Sequence, residues 1–83
     1  MAQRGKTLES ILRGSSDATI RFDDLRNLLL TLGFSERTAG SHHVFRKHGV
    51  EEMVNLQRDG AKAKPYQVKQ VRAVILKYHL AEE

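Results

Sequence analysis

The sequence predicts a small α+β fold built as helix, helix, three-stranded antiparallel meander, helix. Three observations carry this reading. Leu25, Leu28, Leu29 and Leu32 recur at the spacing of one helical face. From Phe34 the period changes, and short runs with strand character are separated by the turn pairs Gly40-Ser41 and His48-Gly49. After Pro65, the apolar residues Val68, Val71, Ile75 and Tyr78 return to helical spacing. A sheet this small has to bury one face against the helices and leaves the other open.

Lys6 to Arg13 carries Leu8, Ile11 and Leu12 at helical spacing, with Thr7 as its candidate cap. The stripe is short, so the helix needs a surface to lie against. Gly14-Ser15-Ser16-Asp17 ends it as a loop. Ala18 to Phe22 reads equally as a short extended piece or as the approach to the next helix. Asp23 is the expected N-cap of the leucine helix, with Asp24 adding negative charge at the positive end of the dipole. Gly33 follows Leu32 at the position where a left-handed conformation ends a helix, and Phe34 is placed to fold back onto the last turn.

Ser35 to Ala39 is polar and reads as an edge strand. Gly40-Ser41 turns the chain into His42-His43-Val44-Phe45-Arg46-Lys47. Neighbouring side chains on a strand point to opposite faces, so His42, Val44 and Arg46 share one face and His43, Phe45 and Lys47 the other. Alternation alone leaves open whether Val44 or Phe45 turns inward. Val50 to Leu56 is the third strand, with Val54 and Leu56 on one face. Gln57 to Lys64 reads as a loop containing Asp59-Gly60, Pro65 as the first turn of a helix over Tyr66 to His79, and Leu80 to Glu83 as a frayed tail.

With 83 residues the chain is one small domain with a thin core. It has no cysteine, so no disulfide or thiolate metal site braces it, which suits a cytoplasmic protein. No apolar segment resembling a signal peptide or a membrane span is found. The formal charge of +4 is unevenly placed. From Arg58 to Lys77 the chain carries Arg58, Lys62, Lys64, Lys69, Arg72 and Lys77 against Asp59 alone. A skew of this kind points to a polyanion or an acidic protein as partner.

Candidate chemistry is sparse. No histidine pair has the spacing of a helical metal site, and neither a phosphate loop, a nucleophile elbow nor a dinucleotide fingerprint is found, so no metal or cofactor is expected. Asp23-Asp24 reads as a cap and Glu51-Glu52 as surface. His43 shares a face with Phe45 and is expected to pack, His48 to be solvated in a turn, and His79 to complement a helix dipole. What remains is one histidine among cations. For RNA that combination has a mechanism. The nucleophile is the substrate's own 2′-hydroxyl, a neutral imidazole removes its proton, and Lys or Arg stabilises the charge building on the phosphate. Arg46, Arg58, Lys62 and Lys64 are the candidate phosphate contacts, with Lys69 next.

Gly40-Ser41-His42-His43-Val44-Phe45-Arg46 resembles the signature of the HicA family, the toxins of HicBA toxin–antitoxin modules. The leucine helix ending at Leu32-Gly33-Phe34 precedes it in the same order. Val54-Asn55-Leu56 and the helix beginning at Lys64-Pro65 follow. The resemblance covers roughly 22–80 and leaves 1–21 as an N-terminal extension with its own short helix. It implies a fold like the double-stranded-RNA-binding domain, with helices on one face of a three-stranded sheet. It also implies a metal-independent ribonuclease that cleaves mRNA and arrests growth in stress responses, and a HicB-type antitoxin that binds and masks the site. It assigns the catalytic role to His42. Many members carry a Pro-x-His segment after the third strand, where this chain has Gln57-Arg58-Asp59. The reading from a different class is an RNA-binding or protein-interaction module of the same fold without catalysis.

Overall fold

Local chemistry sets the element that anchors the rest. The computed structural model describes the backbone of residues 2–82 and the side chains of residues 5–81. Helix α2, Phe22–Thr31, places Phe22, Leu25, Leu28 and Leu29 in the core, and Leu32 follows them there as its C-cap. Gly33 takes a φ of 101°. Its N–H donates to the Leu30 carbonyl, and the Phe34 N–H donates back to the Leu29 carbonyl. This paired closure satisfies two end carbonyls of the helix and turns Phe34 inward, where it is buried. At the other end the N-cap is Arg21 and makes no side-chain capping bond. Asp23 and Asp24 therefore sit inside the first turn, and the expected cap at Asp23 is corrected. They still place negative charge at the positive end of the dipole.

Strands β1 (Ser35–Ala39), β2 (His42–Lys47) and β3 (Val50–Leu56) form one antiparallel sheet in that order, with β2 in the centre. The loop Gly40-Ser41 has glycine at φ 62° in its first position, a conformation that suits a two-residue hairpin. It sets Ala39 opposite His42 and Arg37 opposite Val44. The β2–β3 pairing shifts between Phe45 and Lys47, where β3 carries extra residues. In that irregularity the Glu51 N–H is satisfied by the Tyr78 hydroxyl at 3.2 Å.

Phe45, Val54 and Leu56 are fully buried, so the helices cover the face carrying His43 and Phe45. Helix α1, Ala2–Arg13, begins earlier than the stripe from Lys6 suggested, and Thr7 lies inside it rather than capping it. It sends Ile11 into the core with no exposure. Helix α3, Pro65–Lys77, contributes Val68, Val71, Val74 and Ile75. Arg72 ties these helices together. It forms a two-bond fork to Asp17 at 2.9 and 3.2 Å and donates to the Ile11 carbonyl at 3.1 Å.

Several sequence expectations are revised. Ala18 to Phe22 resolves into a single 3-10 turn, Asp17–Thr19, followed by an isolated bridge from Arg21 to Lys62. The expected loop over 57–64 is a small hairpin of β4 (Arg58–Asp59) and β5 (Lys62–Ala63), with Gly60 at φ 64° in its turn. The last helix ends at Lys77 rather than His79. The expected tail is not frayed through its described part. His79 adopts φ 55°, which reverses the chain and returns Leu80 to the core at 2% exposure. Met1 and Glu83 lie outside the described residues. Glu52 is not plain surface. It accepts from Lys77 at 2.8 Å and from the Tyr78 hydroxyl at 2.6 Å. Among the described residues, no helix is long and apolar enough to cross a membrane.

Candidate active site

Burial of Phe45 decides where His42 points. The two residues have opposite parity on β2, so the His42 ring stands on the uncovered face and is exposed. Its strand neighbours on that face are Val44 and Arg46. The opposing strand β1 contributes Ser35, Arg37 and Ala39, because Glu36 faces the helices with Phe45. Across β3, Asn55 pairs with Val44. Ala39 opposite His42 is small and leaves the ring open on that side. The face therefore presents one imidazole with Arg37 and Arg46 beside it, both exposed.

Two side chains fix the surroundings of the ring. His42 Nδ1 lies 3.3 Å from Asn55 Oδ1. Continuing the β2–β3 register by one residue sets Gln57 opposite His42. The Gln57 amide donates to Ser41 Oγ at 3.4 Å, and its oxygen accepts from Lys64 Nζ at 3.3 Å. The backbone beneath is held as well. The Gln57 N–H donates at 2.9 Å to the side-chain oxygen of Gln67, which is 3% exposed. A buried amide on α3 thus anchors the end of β3, and Lys64, the N-cap residue of α3, is tethered towards the motif.

The other expected contacts separate. Arg46 lies on the face of His42, and Lys64 reaches its edge through Gln57. Arg58 is drawn to the helix layer, where it pairs with Asp23 at 2.9 Å and lies 4.3 Å from the centre of the Phe22 ring. Lys62 is exposed on the small hairpin opposite Asp59, and Lys69 is exposed on α3. The charge skew of the C-terminal third is therefore spread over more than one surface.

His43 occupies the opposite face. Its Nδ1 is 2.7 Å from Glu36 Oε2, and its ring packs edge-to-face with Phe22, the ring centres 4.8 Å apart. Glu36 also accepts from Arg26 Nε at 2.8 and 3.0 Å and lies 2.8 Å from Arg26 Nη2. The Arg26 guanidinium, with help from His43, holds the Glu36 carboxyl below its usual range against the opposing effect of burial. His43 thus has the half-buried packing role expected of it. Among the described residues no group of three His, Asp or Glu is gathered as a metal site.

No family model, curated protein or solved structure matches this chain.

Sequence reasoning missed Arg37, Asn55 and Gln57. Arg37 was within reach, because a two-residue Gly40-Ser41 loop dictates its place opposite Val44. Asn55 was within reach too, since an unshifted His48-Gly49 hairpin sets it opposite His42, whereas Gln57 depended on the shift in β3, which the turn alone does not give.

Proposed function

We propose that this chain is a metal-independent endoribonuclease of the HicA type that cleaves mRNA, with His42 as the general base. The observation that carries the reading is the placement of His42. It is exposed on the open face of the sheet, on the same face as Arg37 and Arg46. In the reaction His42 takes the proton of a ribose 2′-hydroxyl. The 2′-oxygen forms a bond to the adjacent phosphorus, the bond from phosphorus to the 5′-oxygen breaks, and that oxygen takes a proton from water. The products carry a 2′,3′-cyclic phosphate and a 5′-hydroxyl. Arg37, Arg46 and Lys64 supply positive charge to the phosphate oxygens as negative charge builds there. The partners on this reading are mRNA and a HicB-type antitoxin that covers the open face, and the site of action is the cytoplasm.

One observation favours the rival reading of a binding module without catalysis. His43 faces the helices, and Gln57 stands beside the motif in place of a second imidazole, so among the described residues the open face offers a single imidazole at this end of β2. One experiment separates the two readings. Purified protein is incubated with RNA in the presence of a chelator, wild type beside His42→Ala. General-base catalysis contributes about 10²–10⁴-fold, so the variant is expected to lose cleavage by that order and to lose growth arrest on expression. Cleavage by the variant at the wild-type rate refutes the nuclease assignment, and binding without cleavage by either protein supports the module.

A further inference from the structure

We propose that Asn55 is the positioning residue for His42, its side-chain oxygen accepting the Nδ1–H so that Nε2 carries the lone pair used as base. The inference rests on the nuclease reading above for its functional meaning, while its structural content stands on the protein alone. A neutral imidazole has one donor and one acceptor nitrogen, and the partner of one nitrogen decides the state of the other. The Nδ1 to Oδ1 distance of 3.3 Å supplies that partner. Asn55 is well placed to impose a geometry. It is half-buried on β3 between Val54 and Leu56, both without exposure, so the strand beneath it is locked into the core. It reaches His42 diagonally, since its own cross-strand partner is Val44.

An amide is also the informative choice here. It orients the ring without adding the negative charge that an aspartate brings. The charged groups on the elements around His42 are Arg37 on β1, Arg46 on β2 and Glu51 near the far end of β3, with Lys64 reaching the edge through Gln57. An extra carboxylate at position 55 would neutralise the cationic surface just where a phosphate would approach. The neutral amide keeps both orientation and field.

The test reads the ring directly. Nitrogen shifts of the neutral His42 ring in the wild-type protein, recorded by long-range 1H–15N NMR, are expected to show Nδ1–H and an unprotonated Nε2. Asn55→Ala is expected to move the ring towards Nε2–H and to lower RNA cleavage by about 10–100-fold, by analogy with the loss of a partner that orients a metal-ligating histidine. Asn55→Asp is expected to keep the Nδ1–H form, since a carboxylate oxygen also accepts. A wild-type spectrum showing Nε2–H overturns the proposal, and so does an Asn55→Ala spectrum identical to wild type. If the spectra follow expectation while neither wild type nor variant cleaves RNA, Asn55 still orients His42 and it is the nuclease reading that falls.

Discussion

Replacing Arg72 by methionine tests whether the N-terminal helix is part of the structural core. Arg72 and Asp17 are 20% and 13% exposed at their side chains and meet through two bonds of 2.9 and 3.2 Å. The same guanidinium donates to the Ile11 carbonyl at 3.1 Å, near the end of α1. It lies close to Gly14 as well, where an added Cβ would stand 3.5 Å from Nη1. Methionine keeps most of the aliphatic stem, so the change isolates the polar contacts. A hydrogen bond to a charged group is worth about 1.5–3 kcal/mol, and losing the guanidinium leaves a mostly buried carboxylate without its partner. The three contacts share one group and do not add, so the expected loss is about 2–3 kcal/mol. For a domain of this size that lowers the melting temperature by roughly 10–20 °C. Urea unfolding of wild type, Arg72→Met, Asp17→Asn and the double variant gives the coupling directly, with an expected value of about 1–2 kcal/mol. Amide exchange in α1 should also accelerate relative to α3. Additivity within about 0.3 kcal/mol would refute the claim that this pair clamps the 3-10 turn after α1 to α3.

Two further outcomes are expected. The Glu52 carboxyl is held at about 2, first by the Lys77 ammonium and then by the Tyr78 hydroxyl. Its folded-state value lies below the usual one near 4.5, so its contribution to stability is present above that pH and is lost as pH falls from there through about 2. Glu52→Gln is therefore expected to flatten the acid limb of a stability-against-pH curve, and an unchanged acid limb in the variant would show that the carboxylate contributes nothing. Gly33→Ala forces a Cβ into a positive-φ conformation and to within 2.8 Å of Lys47 Nζ. The lysine end can move, so backbone strain dominates, and the expected cost in thermal unfolding is about 1–2 kcal/mol. Unchanged stability would mean the helix end rearranges.

What could be read locally is what local physics controls. The leucine stripe of α2, its glycine stop, and the bounds of β1 and β2 around Gly40-Ser41 depend on residues a few positions apart, and the structure has them where the pattern puts them. The pairing of His42 with Val44 and Arg46 on one face follows from alternation in the same way. The hairpin at Asp59-Gly60 is also a local signal, but strands of two residues are too short to show an alternation.

Tertiary structure decided the rest. Alternation says which side chains share a face but is silent on which face the helices cover. Packing Phe45 against the helix layer settled that and so exposed His42. The offset of β3 changed by an even number of residues, which preserved every face while moving Asn55 from directly opposite His42 to the diagonal. Ile11 and Leu80 entered the core, and Arg58 left the expected phosphate surface for Asp23, through contacts between residues far apart in the chain. The sequence alone thus determined the helical and strand segments and the chemistry available on each. Long-range burial determined which of those groups stand together in water, because the free energy of removing apolar surface depends on the whole core rather than on any single segment.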